Sequence, residues 1–356
     1  MKLLEENYQI NFSKINFLER KIKIINSKTI ICGPSKVGKS YLVYDFLSNF
    51  KNEDYLYIDF FDLRNKNITN ELQFLDEFIK EKNVEVLILE NFDHQCKIPD
   101  CTNIILTSQK NIIYENFEKI SLYALDFEEY LLFDSKHQNI TQSFNSFLKY
   151  GNLALSITTE EHKKLSKLQE IIKLNSKDET SFEILKILIE NIDERKSIFQ
   201  LYNQLKTRIK ISKDRFYEEC KELEEKNNIF FIEKYNQEMS LKKIYTYNYA
   251  FLNAISFTKK FKQEFTNMVF LELLKENNKI FYLENIDFYV KEENLAVVCI
   301  PFFNQLINSN ILKKIVKTAI EYNINKIEII TVSNSENLSN NKIKINVISF
   351  YEWALS

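Results

Sequence analysis

The chain has 356 residues, more than one hydrophobic core usually organises, which excludes a single small module. Hydrophobic residues at 45%, aromatic residues at 14% and charged residues at 28% are globular proportions and exclude general disorder. Lys+Arg 48 against Asp+Glu 50 leaves a net charge of -2, so no global field draws nucleic acid or an anionic membrane, and such binding has to come from a local patch.

The amino-terminal stretch MKLLEENYQI lacks the apolar centre of a secretory signal, and no later run approaches the roughly 18 apolar residues that span a bilayer, so a cytoplasmic chain with no membrane partner is expected. Cys32, Cys96, Cys101, Cys220 and Cys299 are odd in number and scattered, which suits reduced thiols. His94, Cys96 and Cys101 are close in sequence but lack a fourth ligand at a usual spacing for a metal.

Average usage would put roughly 25 glycines in such a chain. There are 3, and two of them, Gly33 and Gly38, fall within GPSKVGKS, residues 33–40. This stretch fits G-x-x-x-x-G-K-[ST] and directly follows the apolar run Thr29-Ile30-Ile31-Cys32. A loop leaving a buried strand to wrap phosphates with backbone N–H groups needs positive φ or close approach where glycine fits. Gly33, Pro34, Ser35, Lys36, Val37, Gly38, Lys39 and Ser40 are therefore the expected ATP-binding residues. Lys39 brings an ammonium to the β- and γ-phosphates, Ser40 offers a hydroxyl to Mg²⁺, and residues 40–49 read as the helix whose positive end faces the phosphates.

Further on, Tyr55 to Phe60 reads as a strand and Glu71 to Lys82 as a helix, leading to a second apolar strand from Val84 to Leu89. It ends in Glu90-Asn91-Phe92-Asp93. Glu90 is the expected Mg²⁺ carboxylate, whereas Asn91 stands where many such ATPases carry a Glu that polarises water, and an amide cannot accept that proton. The next apolar run, Asn103 to Leu106, closes with Thr107-Ser108-Gln109, so Thr107 is a candidate γ-phosphate sensor, although strand ends are also commonly polar. Arg20 and Arg64 are the only arginines before residue 190 and are candidates for a phosphate contact or for ordinary surface positions.

This order, together with Tyr57-Ile58-Asp59-Phe60-Phe61-Asp62-Leu63-Arg64 and with Leu125-Asp126-Phe127-Glu128-Glu129-Tyr130-Leu131, resembles prokaryotic AAA+-type P-loop ATPases that carry a carboxy-terminal nuclease-like domain of unknown function. The family's Pro-Leu-Ser-Phe-x-Glu-Tyr and Gly-Gly-x-Pro segments are altered here, the second to Gly151-Asn152-Leu153-Ala154.

Residues 156–180 read as a helical connector. Helices over 182–191, 198–206 and 213–226, followed by strands over 229–233 and 243–247 around a polar turn, follow the order of a winged helix. Lys206, Arg208, Lys210, Lys213 and Arg215 cluster before and at the third helix and are candidate DNA-phosphate contacts, with Lys234, Lys242 and Lys243 assisting from the wing. Glu218, Glu219, Glu222, Glu224 and Glu225 oppose DNA farther along the same helix, which leaves protein docking or a structural role open.

From residue 251 the pattern alternates again, with helices over 262–276 and 311–322 and strands over 279–283, 286–291, 295–300, 326–332 and 343–349. The family resemblance implies a restriction-endonuclease-like domain in which Glu272 and Asp287 match two metal-binding positions. The strand Ala296-Val297-Val298-Cys299-Ile300 lacks the acid and lysine of the third, so nuclease activity is not expected.

The expected fold is thus α/β, with a P-loop NTPase (AAA+-like) domain over 1–155, a helical connector and winged helix over 156–250, and a restriction-endonuclease-like α/β domain over 251–356. The expected function is an ATP- and Mg²⁺-binding nucleotide-dependent switch with slow hydrolysis and an association with DNA or a protein. The alternative is a DNA-binding regulator or scaffold with a vestigial nucleotide site. A small-molecule kinase is disfavoured because the remaining chain offers no evident acceptor pocket.

Overall fold

A computed structural model describes residues 1–137, 139–237, 241–277, 279–338 and 343–356. The chain packs into two compact units, Met1–Tyr123 with Glu225–Asn227, and Ala124–Glu224 with Asn228–Ser356.

The first unit runs α1 (Lys2–Tyr8), β1 (Lys28–Cys32), α2 (Lys39–Leu47), β2 (Tyr55–Asp59), α3 (Leu75–Lys82), β3 (Val86–Glu90), β4 (Asn103–Ser108) and β5 (Glu118–Ser121). Its strands form a parallel sheet in the order β2-β3-β4-β1-β5. A parallel sheet covered on both faces needs continuous apolar strands, and β3, Val-Leu-Ile-Leu-Glu, is buried along its whole length. The expected helix over 71–82 starts later, at Leu75, because two short 3₁₀ turns, Ile68–Asn70 and Leu72–Phe74, precede it. From β1 the chain crosses to β2 at the far edge and returns strand by strand to β4, while β5 adds on the other side of β1. Such a reversal of strand order opens a crevice at the carboxyl end of β1, where ligands of open α/β sheets bind.

The second unit begins with α4 (Phe127–Phe133), α5 (Ile140–Tyr150), α6 (Ala154–Thr158) and α7 (Glu161–Leu174). It continues with α8 (Glu179–Glu190), β6 (Arg195–Lys196), α9 (Ile198–Lys206), α10 (Lys213–Glu225), β7 (Ile229–Ile232) and β8 (Lys242–Thr246). β6, β8 and β7 form a small antiparallel sheet in that order. The expected turn between the last two strands includes 238–240, which lie outside the described residues. Next come α11 (Phe251–Ile255), α12 (Phe261–Glu276), β9 (Phe281–Leu283), β10 (Ile286–Val290), β11 (Leu295–Cys299), α13 (Ser309–Glu321), β12 (Lys326–Thr331), β13 (Glu336–Leu338), β14 (Lys344–Ser349) and α14 (Phe350–Trp353). Their strands order as β13-β14-β12-β11-β10-β9, with β11, β12 and β14 parallel and antiparallel strands at both edges.

The boundary between units falls after Tyr123 rather than near 155. Phe127 packs edge-on against Phe350 at 5.8 Å, and Phe147 meets both Tyr130 and Tyr249, so residues after 123 share an aromatic core with the carboxy-terminal elements. No unit boundary falls near 250 either, because Lys243 on β8 reaches across to β10. Its ammonium lies 2.7 Å from Asp193 Oδ1 and 2.9 Å from Asp287 Oδ1, Tyr245 donates its hydroxyl to Asp193 at 2.8 Å, and the Cys299 amide donates to Asp287 at 2.9 Å. Lys243, expected to meet DNA from the wing, is instead buried at 4% exposure in this ion-pair network, a correction forced by two acids distant in sequence.

Burial opposes the charge on Lys243, but Asp287 and Asp193 overcome it and hold the pKa above the ordinary lysine value. Breaking a buried pair on one side leaves carboxylates uncompensated. Lys243→Ala should therefore destabilise the second unit by about 3–5 kcal/mol in urea unfolding. A raised folded-state pKa means that this contribution is fully present below the unfolded lysine value, about 10.4, and is lost as pH rises further. Titration of Lys243 should accordingly add no pH dependence to the stability of the unsubstituted protein between pH 6 and pH 9.

Candidate functional site

The carboxyl ends of β1, β2, β3 and β4 bring together the loop 33–40, Asp59, Glu90 with Asn91, and Thr107. The loop's path is set by close packing. A Cβ on Gly33 would sit 2.2 Å from the Leu122 carbonyl oxygen, because β5 ends alongside β1 and the Leu122 amide donates to Cys32 O at 2.7 Å. Gly33 N donates to Ser108 O at 3.1 Å. Lys36 (φ 65) and Gly38 (φ 106) turn the backbone left-handed, and Gly38 caps the amino-terminus of α2. Consecutive amides in such a turn face one concavity, the geometry that receives anions, and the positive end of α2 adds to it.

Lys39 is the central group. It is 7% exposed, and its Nζ donates to the carbonyls of Gly33 and Pro34 at 2.8 Å each. Among the described residues it forms no ion pair. Burial lowers its pKa to about 8, with Glu90 partly opposing the shift. A buried cation balanced only by carbonyl dipoles is costly, and an anion arriving in the loop would relieve that cost. Ser35 Oγ is buried in the same loop without a hydrogen-bond partner among the described residues, so the loop also holds a hydroxyl left unused by the protein.

Glu90 is enclosed at the end of β3, where Ser40 Oγ donates to Oε1 and the Tyr57 hydroxyl donates to Oε2. Burial raises its pKa, the two hydroxyls lower it, and Asp59 raises it again. The pair Ser40 and Glu90 offers oxygen donors of the kind that Mg²⁺ takes, and no other protein ligand is needed where phosphate and water complete the shell. Thr107 is fully buried, and its Oγ1 accepts from the Asn91 amide at 3.0 Å, which places it as a support for the tip of β3.

Asn91 lies in the left-handed region at φ 56, a position that asparagine tolerates better than most residues. Its side-chain amide donates to Asp59 Oδ1 at 2.8 Å. Of the two arginines, Arg20 is buried and donates to Val37 O at 2.9 Å and to Tyr123 O at 3.2 Å, so it braces the loop from behind. Arg64 is exposed and forks onto Asp62, with Nη2 to Oδ2 at 2.6 Å.

Sequence reasoning passed over Tyr57 and the bracing role of Arg20. Tyr57 had one available signal, a hydroxyl-bearing ring two residues before Asp59, a spacing that places both side chains on one face of β2.

In the second unit, Lys206, Arg208, Lys210, Lys213 and Arg215 are all exposed around the start of α10. Arg208 pairs with Glu190 at 2.7 Å, Arg215 pairs with Asp178, and Lys213 lies over the rings of Phe199 and Tyr217 at 5.4 and 5.3 Å. Lys242 pairs with Glu233 at 2.8 Å. Glu272 accepts from the Phe127 amide at 2.9 Å and Asp287 is taken up by Lys243, so each of these two acids serves a packing network. No group of three or more His, Cys, Asp or Glu placed to hold a metal occurs among the described residues, and no described helix is long and apolar enough to cross a membrane.

No protein-family model matches the chain. It is 25% identical over 405 residues to the uncharacterized protein MJ1544 of Methanocaldococcus jannaschii, spanning 94% of this chain and 90% of that protein. Among solved structures it is similar to the Walker-type ATPase paby2304 of Pyrococcus abyssi, at 11% identity over 64% of this chain and 91% of the other, with a TM-score of 0.43. So partial an overlap adds no weight, and the α/β assignment rests on the parallel sheet and its loop.

Proposed function

We propose that this protein binds ATP with Mg²⁺ in the loop 33–40 and uses nucleotide occupancy as a conformational switch, with slow hydrolysis, in the manner of the AAA+-type ATPases that it resembles. The observation that carries the reading is the Lys39 ammonium, buried at the head of α2 with no ion pair among the described residues, in a loop whose Ser35 hydroxyl also finds no partner among them. The two features fit a polyphosphate, whose charge would release Lys39 from the Gly33 and Pro34 carbonyls. Ser40 and Glu90 would hold Mg²⁺, which when bound neutralises phosphate charge. Thr107 keeps a place in the site as a positioning residue behind Asn91.

The switch reading follows from Ser40 and Glu90. Their direct contact has to open when an ion comes between them, which ties α2 and the tip of β3 to the nucleotide state. We keep the winged-helix reading of 156–250 and the nuclease-like reading of 251–356 as functional parts of this proposal, both lying largely within the second unit and together providing a binding surface.

A DNA-binding regulator with a vestigial nucleotide site is the second reading, favoured by the exposed cations at the start of α10. Two of the five are paired with acids and Lys243 is withdrawn, which weakens the patch without removing it.

Lys39→Ala should abolish ATP binding in titration calorimetry, and an unchanged affinity would reject the nucleotide site. Fluorescence anisotropy with duplex DNA over a salt series separates the two readings. Nucleotide-dependent binding supports the switch, whereas tight, salt-sensitive binding indifferent to ATP supports the regulator. In that assay, replacing Lys206, Lys210 and Lys213 together by Ala should weaken binding and flatten the salt slope.

A further inference from the structure

The tip of β3 poses a chemical problem that the strand beside it can solve. Hydrolysis of a bound triphosphate needs a group that takes a proton from the attacking water, and Asn91, directly after Glu90, carries an amide that cannot do so. Glu90 has both oxygens engaged by the hydroxyls of Ser40 and Tyr57. Asp59 stands opposite Glu90 in the parallel register of β2 and β3. Its Oδ1 accepts from Asn91 Nδ2 at 2.8 Å and from the Phe61 amide at 2.9 Å. Both donors fall on that one oxygen, leaving Oδ2 without a hydrogen-bond donor among the described residues, and the side chain is only half-buried. The amide at position 91 therefore fixes the carboxylate of the neighbouring strand one hydrogen bond from its own side chain.

We propose that Asp59 is the general base for ATP hydrolysis in this protein, with Asn91 as its positioning residue, so that the carboxylate lost from the end of β3 is supplied by the end of β2. The proposal rests on the ATP-binding reading of the loop 33–40. In the reaction, a water oxygen bonds to the γ-phosphorus while the bond from that phosphorus to the β–γ bridging oxygen breaks. ADP leaves with the electron pair of that bond. The water proton passes to Asp59 Oδ2 and from there to solvent, and no redox partner is involved.

The test measures ATP affinity and phosphate release separately on the full chain. Asp59→Asn keeps the acceptor for Asn91 and Phe61 but cannot take a proton. It should cut turnover by about 100-fold while leaving the ATP dissociation constant within about threefold. Asn91→Ala should lower turnover by a smaller factor at unchanged affinity, because it frees the carboxylate without removing it. Asn91→Glu combined with Asp59→Asn should regain part of the lost rate, a rescue that a merely structural Asp59 would not show. Asp59→Ser carries the same test if the first variant does not fold. The proposal is overturned if Asp59→Asn turns over within threefold of the wild type, or if the wild type binds ATP yet releases phosphate no faster than that variant. A wild type that fails to bind ATP rejects the nucleotide site and the base together, which separates the two failures.

Discussion

A lysine ammonium held out of water by the backbone of its own loop is the constraint around which the first unit is arranged. Lys39 begins the helix that follows the loop, and its ammonium donates to two carbonyls of that loop. The strands around it are buried and apolar, and among the described residues the charge is met by the carbonyls of Gly33 and Pro34 and by the more distant Glu90. Burial drives its pKa down to about 8, close to the point at which the charge would be given up.

The second unit meets the same problem and solves it differently. Lys243 is as deeply buried as Lys39, but two carboxylates, Asp193 from the turn after α8 and Asp287 from β10, lie against it, and its pKa goes up. The contrast is informative, since the charge on one buried lysine is met by two carboxylates, whereas that on the other is met by carbonyl dipoles and a more distant acid. Asp287 is one of the two carboxylates. The acid that the family resemblance would place at a metal serves instead to fasten β8 to β10.

At the tips of β2, β3 and β4 the polar groups form a continuous row, from the Phe61 amide through Asp59, Asn91 and Thr107. The row is adjacent to Glu90, which faces Ser40 on α2. On the proposed reading, movement of α2 would be felt at Glu90 first and along the strand tips next. Arg20 limits this movement on the other side by bridging the loop carbonyl of Val37 and the backbone at Tyr123.

Local patterning alone settled the apolar strands and the loop. Glycine scarcity, the spacing of Gly33, Gly38 and Lys39, and the uninterrupted runs at 29–32 and 86–89 depend on neighbouring residues and on burial of both sheet faces, and these are written in consecutive letters. The three helices and two strands after residue 178 were legible for the same reason, whereas the two-residue β6 and the edge strand β13 were too short to leave a period. Tertiary structure alone decided the partners. Whether Lys243 faced solvent depended on Asp193 and Asp287, some 50 and 44 positions away, and whether Asn91 stood alone depended on Asp59, 32 positions before it. It also decided that residues just after 123 join the second unit, since the rings of Phe127 and Phe350 come from opposite ends of that unit's chain. Hydrophobic period is a local property, but the compensation of a buried charge is settled by whatever the fold carries to within hydrogen-bond reach.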